Sequence, residues 1–218
     1  MKIFFITGTD TDSGKTYVTC QLLNFLNQRQ QSALALKPVA SGCDEINGQL
    51  LSADVLALQK YNCNSSLEIN GWKFAPPISP HIAAKKVNLH LSIQKIADFC
   101  FDERFSHFDY LFIEGAGGLM APLNDEETWL DFLKWTQIPA ILVVGMQLGC
   151  LNHALLTDTV LKHNRISCAG WIANCLDKAM LAKDENIKTL SLKMHMPQLA
   201  TISYEGSLTD EHILQKFQ

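Results

Sequence analysis

The chain is 218 residues long, and 47% of its residues are hydrophobic while 18% are charged. This much apolar side chain can form a sizeable core, which excludes an intrinsically disordered protein. Eighteen basic and 22 acidic residues leave a net charge of −4 without a basic stripe, which argues against a nucleic-acid-binding protein. The length and the lack of a linker-like stretch predict a single domain over residues 1–218.

Short apolar bursts alternate along the chain with stretches of helical periodicity. This alternation is typical of an α/β fold in which helices cover both faces of a mostly parallel sheet. Each burst is nearly continuous in apolar residues, as expected for strands that are buried on both faces. The predicted strands are Lys2–Thr7, Ala33–Lys37, Tyr110–Glu114, Ala140–Gly145, Ala169–Asn174 and Leu199–Ser203.

The stretches between these bursts show the apolar spacing of one helix face. The predicted helices lie in Thr16–Asn27, Asn47–Asn64, Ser92–Phe105 and Leu151–Lys162. Ser52 is the expected N-cap of the second of these helices. Another short helix is predicted to bury Trp129, Phe132, Leu133 and Trp135. Three prolines exclude a regular element in Phe74–His81.

The cysteines and the N-terminal residues predict a cytoplasmic protein. Seven cysteines are an odd number without a CxxC motif, so neither a disulfide framework nor a zinc site is indicated. The first residues lack the long apolar region and the cleavage site of a signal peptide. No apolar run approaches the roughly 18 residues that span a bilayer, so we expect no membrane partner. The lack of a basic stripe, noted above, leads us to expect no nucleic-acid partner either.

The first predicted strand leads into Gly-Thr-Asp-Thr-Asp-Ser-Gly-Lys-Thr, residues 8–16, ahead of a predicted helix. In this order of elements, backbone N–H groups, a helix N-terminus and a lysine surround the phosphates of a nucleotide. Lys15 would reach the terminal phosphates, and the Thr16 hydroxyl would be a ligand of Mg²⁺. Five residues separate Gly8 from Gly14 where the usual motif has four, so an ordinary strand–turn–helix connection is the alternative.

The third predicted strand ends in the carboxylate of Glu114, and Gly115-Ala116-Gly117-Gly118 follows. Ligands of open α/β sheets collect at the carboxyl ends of the strands. A carboxylate there can hold the Mg²⁺ that bridges nucleotide phosphates, and glycines let the backbone approach a ligand closely. The alternative is a strand-end acid that caps a turn, but the phosphate loop favours the metal role.

Four more residues complete the candidate site with weaker signals. Lys37 closes the second predicted strand, and Ser41 follows in the next loop. Asp54 lies in the helix after that loop, and Asn174 at the end of the fifth strand can present an amide to a base. A solvated strand end, an exposed acid and the start of a turn are the alternatives. No His pair with ligand spacing and no nucleophile motif occurs, so covalent catalysis is not predicted.

Seven blocks in chain order resemble the dethiobiotin synthetase family, and the resemblance covers nearly the whole chain. These blocks are residues 7–16, 37–42, 54–59, 79–81, 114–118, 142–153 and 169–174. The extra residue in the phosphate loop is normal for this family. The resemblance implies a P-loop NTPase-like fold and the use of MgATP and CO₂ to convert 7,8-diaminononanoate into dethiobiotin. The reaction, a step of biotin biosynthesis, would pass through a carbamate and a carbamic–phosphoric anhydride.

The resemblance also implies roles for residues of this chain. Lys15 and Lys37 would be catalytic, Thr16, Asp54 and Glu114 would hold Mg²⁺, and Ser41 would contact the diamine substrate. The substrate carboxylate would be bound by Gly149, Cys150, Leu151 and Asn152 of the neighbouring subunit in a homodimer. The nucleotide would be bound by Asp12, Ser13, Gly14, Lys15, Thr16, Tyr17, Glu114, Gly115, Ala116, Gly117, Asn174, Cys175, Ser203, Tyr204 and Glu205.

Three positions depart from the family pattern. Asp12 stands where the family commonly has Glu, and Ser13 replaces a small apolar residue. Residues 202–205 read Ile-Ser-Tyr-Glu where a Pro-Trp type of sequence is familiar, so the base preference stays open.

Two other functions are alternatives to a dethiobiotin synthetase. Another P-loop amidoligase, of the corrin-ring type, would need a glutaminase domain for which the chain has no room. The other alternative is a regulatory or partitioning ATPase that acts on protein partners.

Overall fold

A computed structural model describes residues 1–209 and 213–217 of the chain. Its strands are β1 (Lys2–Gly8), β2 (Ala33–Leu36), β3 (Val39–Ser41), β4 (Asp44–Ile46), β5 (Gln49–Leu51), β6 (Trp72–Phe74), β7 (Tyr110–Gly118), β8 (Ala140–Met146), β9 (Cys168–Cys175) and β10 (Gln198–Ile202). Its helices are α1 (Lys15–Asn27), α2 (Ala53–Gln59), α3 (Pro80–Lys86), α4 (Ile93–Cys100), α5 (Trp129–Thr136), α6 (Cys150–His163), α7 (Lys183–Lys193) and α8 (Ile213–Lys216). Residues Glu103–Phe105 form a 3₁₀ turn.

Six parallel strands form the central sheet in the order β10-β9-β8-β1-β7-β2. Each of the six predicted strands belongs to this sheet, so the predicted α/β fold with a mostly parallel sheet is confirmed. Because the strands all run in one direction, their carboxyl ends meet at a single edge, where such sheets bind ligands. The loops that follow β1, β2 and β9 all start from this edge.

Aromatic packing fixes α5 against the central strand. Phe5 of β1 is fully buried, and its ring centroid lies 5.2 Å from that of Trp129 and 5.6 Å from that of Phe132. The Trp129 Nε1–H group also donates a hydrogen bond of 3.0 Å to the Ala116 carbonyl. This buried bond ties the end of β7 to α5, because breaking it would leave a buried carbonyl without a donor.

A short hairpin lies between β3 and α2. Strands β4 and β5 pair antiparallel, and their residues are exposed or half-buried. Gly48 at the turn has a φ of +75°, and no atom lies within 4 Å of the point where a Cβ would stand. The hairpin therefore connects Ser41 to Asp54 without packing tightly at its tip.

Several predicted helix boundaries differ from the structure. Helix α4 ends at Cys100 instead of Phe105, because the chain turns at Asp102, whose carboxylate accepts from the Arg104 amide before the 3₁₀ turn. Helix α2 starts after Ser52 as expected, but the Ser52 side chain makes no capping hydrogen bond. Helix α7 buries only Leu190, so it has no apolar stripe from which the pattern could be recognised.

Two expectations were wrong. The prolines of Phe74–His81 do not exclude regular structure throughout, because β6 extends to Phe74 and α3 begins at Pro80. Proline is favoured at the first position of a helix, where its missing N–H group has no partner to lose. Trp135 is not part of the core: it is 53% exposed because it lies on the outer face of α5.

Within the described ranges, no helix combines the length and the apolar character that crossing a bilayer requires.

Candidate active site

A cavity of about 880 Å³ opens at the carboxyl edge of the sheet. This volume lies in the range of small-molecule sites, which extends from about 300 to 1,000 Å³. The predicted site residues that line it are Asp12, Gly14, Lys15, Thr16, Lys37, Ser41, Asp54, Ala116 and Gly117. The fold thus brings four stretches of the predicted site to one cavity: the phosphate loop, the segment after β2, the start of α2 and the end of β7.

The phosphate loop rests on Asn174 at the end of β9. The Asn174 Nδ2–H group donates to the Ser13 carbonyl at 3.1 Å. Gly14 has a φ of +82°, and a Cβ built on it would lie 2.0 Å from Asn174 Nδ2. Asn174 therefore supports the loop from below, and the close approach requires glycine at position 14.

The Ser13 hydroxyl is buried beneath the same loop. Its Oγ lies 2.2 Å from the point where a Cβ on Gly8 would stand, and it has no hydrogen-bond partner among the described residues. Ser13 does not line the cavity, although both of its neighbours in the chain do. The side chain thus faces the protein interior, where the family pattern has a small apolar residue.

Lys15 begins α1 and is 6% exposed. Its ammonium donates to the Asp10 carbonyl at 2.9 Å. Burial and the charge of Lys37 lower the pKa of Lys15 from 10.5 to about 8. A lysine held in this way gains more from a nearby anion than a solvated lysine does, because it has lost most of its hydration.

The carboxylate of Glu114 does not itself line the cavity; it is fully buried next to Thr16 and Lys37, which do. Its Oε1 accepts from the Thr16 hydroxyl at 2.6 Å and from the Lys37 ammonium at 2.7 Å. The Lys37 ammonium also lies 2.9 Å from Asp54 Oδ2 and 3.3 Å from the Gly115 carbonyl. Lys37 therefore bridges the two carboxylates to which the family resemblance assigns a metal.

Lys37 and Asp54 are both ionised near neutral pH. Burial lowers the pKa of Lys37, but the charges of Glu114 and Asp54 outweigh burial, so the pKa lies above the ordinary value. Burial raises the pKa of Asp54, but the charge of Lys37 and the hydrogen bond from its ammonium outweigh burial, so the pKa lies below its ordinary value. The charge of Lys37 is thus neutralised inside the protein.

The residues predicted to bind Mg²⁺ fit such an ion chemically. Thr16, Asp54 and Glu114 offer the oxygen ligands that Mg²⁺ prefers. Glu114 Oε2 is buried and has no hydrogen-bond partner in the described part of the chain. Residues 1–209 and 213–217 contain no group of three or more His, Cys, Asp or Glu that could hold a metal. Waters and substrate phosphates would therefore complete the coordination, as is usual for Mg²⁺.

The segment from Gly149 to Asn152 does not line the cavity of its own chain. Helix α6 begins at Cys150, and its residues at the cavity wall are Leu156, Thr157 and Val160, about two to three turns further on. Asn152 is exposed, and the preceding Leu148 is 100% exposed. The start of α6 thus lies outside this cavity, and its first N–H group, that of Cys150, donates to the Gln147 carbonyl at 3.0 Å.

The segment predicted to bind the base lies at the surface and is held by α1. Ser203, Tyr204 and Glu205 are exposed and do not line the cavity. The Tyr17 hydroxyl donates to the Gly206 carbonyl at 2.5 Å. Burial, followed by the charge of Glu205, raises the pKa of Tyr17. Tyr17 therefore joins the phosphate-binding helix to the segment after β10.

The cavity also has walls to which the sequence analysis gave no role. Ile78, Ser79 and Pro80 line it at the start of α3, and the face of α6 described above lines another side. The Ser-Pro pair is a helix-start signal that could have indicated the first wall. No local signal indicates the second wall, because it depends on how α6 packs on the sheet.

The chain is similar to dethiobiotin synthetases along nearly its whole length. The sequence profile described as an AAA domain matches residues 2–212. The ATP-dependent dethiobiotin synthetase BioD of Legionella pneumophila strain Paris is 52% identical over 96% of this chain and 97% of its own length. The BioD of Pseudoalteromonas translucida is 43% identical over 94% of this chain and 91% of its own length.

Solved structures of P-loop proteins share the fold. The septum site-determining protein MinD of Pyrococcus horikoshii, complexed with Mg-ADP, aligns with a TM-score of 0.56 at 18% identity, over 99% of this chain and 84% of MinD. A ParA family ATPase of Chlorobium tepidum aligns with a TM-score of 0.54 at 17% identity, over 99% and 87% of the two chains. These likenesses confirm the predicted P-loop NTPase-like architecture.

Gly14→Ala and Gly48→Ala separate backbone strain from the contact with Asn174. Both glycines have a φ near +80°, where a Cβ costs about 1–2 kcal/mol. Only the Cβ at position 14 meets another group, so Gly14→Ala should lower the free energy of unfolding further and weaken ATP binding about tenfold or more. Gly48→Ala should bind ATP as the wild type does. Denaturant unfolding and ATP titration measure both effects, and equal effects of the two substitutions would refute the supporting role of Asn174.

The pKa of Lys15 predicts how nucleotide affinity depends on pH. Below a pH of about 8 the ammonium is charged before ATP arrives. Above that pH the empty protein loses the charge, and binding must take up a proton, so ATP affinity should fall by up to about tenfold per pH unit. Lys15→Arg should bind more weakly but without this slope, because arginine stays protonated. ATP titrations from pH 7 to pH 9.5 test this, and the same slope in both proteins would assign the titration to another group.

Proposed function

We propose that this chain, which belongs to the dethiobiotin synthetase family, catalyses the ATP-dependent carboxylation and ring closure of 7,8-diaminononanoate to dethiobiotin. The observation that carries the proposal is the cluster of buried Lys37 and Glu114 with half-buried Thr16 and Asp54, in a chain 52% identical to a named synthetase. The ammonium groups of Lys15, at the end of the phosphate loop, and of Lys37, after β2, suit a reaction in which negative charge accumulates between two substrates.

The reaction balances in three steps. One amine of the diamine adds to CO₂ and releases a proton, which gives a carbamate. A carbamate oxygen attacks the γ-phosphorus of ATP, the bond to the bridging oxygen breaks, and ADP leaves. The second amine attacks the carbonyl carbon of the resulting carbamic–phosphoric anhydride, loses a proton and expels phosphate, which closes the ureido ring.

The two lysines serve this chemistry by their charge and position. Phosphoryl transfer needs positioned cations more than a nucleophilic side chain. Lys15 binds the β- and γ-phosphates from the start of α1. Lys37 neutralises the carbamate and the transferred phosphoryl group, and Ser41 at the cavity wall contacts the diamine. The absence of a nucleophile motif from the sequence agrees with this mechanism.

The remaining proposed roles concern the metal and the nucleotide. Thr16, Asp54 and Glu114 would hold Mg²⁺, which would supply positive charge to offset that of the phosphates. Backbone groups from Asp12 to Tyr17, together with the glycine-rich end of β7, surround the phosphates. The adenine base is read by Asn174 and Cys175 and by Ser203, Tyr204 and Glu205.

The active site is shared between the subunits of a homodimer. The diamine carries a carboxylate several methylenes from its amines, too far for the phosphate loop to bind both ends. Gly149, Cys150, Leu151 and Asn152 at the start of α6 bind this anion. The Cys150 N–H group donates to the Gln147 carbonyl at 3.0 Å, so the N–H groups of the other three residues suit the anion best. Their position outside the cavity of their own chain, beside the fully exposed Leu148, supports a role in the cavity of a partner.

The chain works as a single P-loop domain, residues 1–218, in the cytoplasm, where ATP is supplied. The competing function is an ATPase switch acting on protein partners, because MinD and ParA proteins have the same fold. Their identity to this chain, at 18% and 17%, concerns the fold alone. The dethiobiotin synthetases match it at 40–52% identity and therefore favour the ligase.

Mass spectrometry of a mixture of the protein, MgATP, bicarbonate and 7,8-diaminononanoate tests the reaction. Dethiobiotin, ADP and phosphate should form in proportion to the diamine consumed. Lys37→Ala and Lys15→Ala should each reduce turnover on the order of 100-fold or more while circular dichroism shows an unchanged fold. ATP hydrolysis that does not depend on the diamine, without dethiobiotin, would support the ATPase switch instead.

A subunit-mixing experiment tests the shared site. Lys15→Ala damages the phosphate loop, and Asn152→Asp places a charge where the substrate carboxylate binds. In a mixed dimer of these variants, one site carries both defects and the other carries neither. Random exchange in a two-fold dimer should therefore restore roughly a quarter of wild-type activity. Mixtures that stay inactive after proven exchange, or an active monomer, would refute the shared site.

A further inference from the structure

We propose that Lys37 binds the carboxylate oxygens that a divalent cation would use and moves from them to the reacting groups when Mg²⁺ binds. The inference deepens the proposed function, since it concerns the same metal site and the same catalytic lysine. It starts from the finding that one ammonium bridges both carboxylates that are assigned to the metal.

The bridging ammonium uses the oxygens that a metal would need. Glu114 Oε1 already accepts two hydrogen bonds, from Thr16 Oγ1 at 2.6 Å and from Lys37 Nζ at 2.7 Å. A carboxylate oxygen has about two lone-pair positions, so this atom has no free position for a cation. Asp54 Oδ2 accepts from the same ammonium at 2.9 Å. A metal that binds Glu114 Oε1 and Asp54 Oδ2 must therefore displace a hydrogen bond of Lys37, whereas a metal held by Glu114 Oε2, which has no hydrogen-bond partner among the described residues, need not.

The electrostatics of the cluster allow this exchange once a metal binds. A buried carboxylate without a counter-charge is costly, and Lys37 supplies that charge to Glu114. A divalent ion can supply it instead, which leaves the ammonium with no partner but the substrate anions. The positive charge needed by the carbamate and the phosphoryl group thus becomes available only after the metal has bound.

This arrangement differs from that of Lys15. The Lys15 ammonium donates to the Asp10 carbonyl, and no hydrogen bond or ion pair is recorded between it and Glu114 or Asp54. Lys15 is therefore a matched control: a second buried lysine of the same cavity that does not compete directly with a metal for carboxylate oxygens.

Binding of Mn²⁺ alone, measured by electron paramagnetic resonance without nucleotide, tests the exchange. Lys37→Met removes the competing ammonium, so Mn²⁺ should bind at least about tenfold more tightly than to the wild type. Lys15→Met should strengthen Mn²⁺ binding less, because only a more distant charge is lost. Equal affinity in Lys37→Met and the wild type, or an equal gain in both variants, would overturn the proposal.

A measurement on the wild type covers the case in which Lys37→Met does not fold. The nitrogen resonance of the Lys37 ammonium, recorded by NMR in the ADP complex, should move when Mg²⁺ is added. An unchanged resonance in the Mg-ADP complex would overturn the proposal. Neither experiment uses the diamine or CO₂, so a failure to form dethiobiotin would count against the proposed function and not against the exchange.

Discussion

The buried charge of Glu114 is the constraint on which the rest of the site depends. A carboxylate without access to water needs hydrogen bonds and a counter-charge, and here they come from Thr16 of α1 and from Lys37 after β2. Three elements that are distant in sequence are thereby fixed against one another. The hydrogen bond between Thr16 and Glu114 therefore fixes the position of the phosphate loop, which leads into α1, relative to β7.

The parallel sheet supplies the frame in which that contact forms. It gathers the ends of β1, β2, β7 and β9 at one edge, so a loop, a lysine, a carboxylate and an amide meet without any long structured insertion. The bond from Trp129 to the Ala116 carbonyl holds the end of β7 from the other side. The fold itself thus holds Thr16, Glu114 and the end of β7 in position, which lowers the entropic cost of assembling the site.

The sequence was sufficient where the signal is local. Strands buried on both faces are apolar throughout, and the Gly-Lys-Thr run before a helix identifies the phosphate loop. It was insufficient where side chains distant in sequence meet: nothing near Asn174 indicates that its amide supports Gly14, and nothing near Tyr17 indicates a bond to Gly206. The same limit explains Trp135, whose exposure depends on how α5 rotates about its axis and not on its own apolar character.

The exposed hairpin of β4 and β5 lies between two residues of the site. On one side, Ser41 is held by the pairing of β3 with β6, and on the other, Asp54 is held by α2, which buries Val55 and Leu58. Neither anchor depends on the length of the hairpin. Added residues at its tip would meet only solvent, and exposed loop tips tolerate insertion best. The chain therefore offers an attachment point for a fluorophore or an added peptide within a few residues of the catalytic cavity.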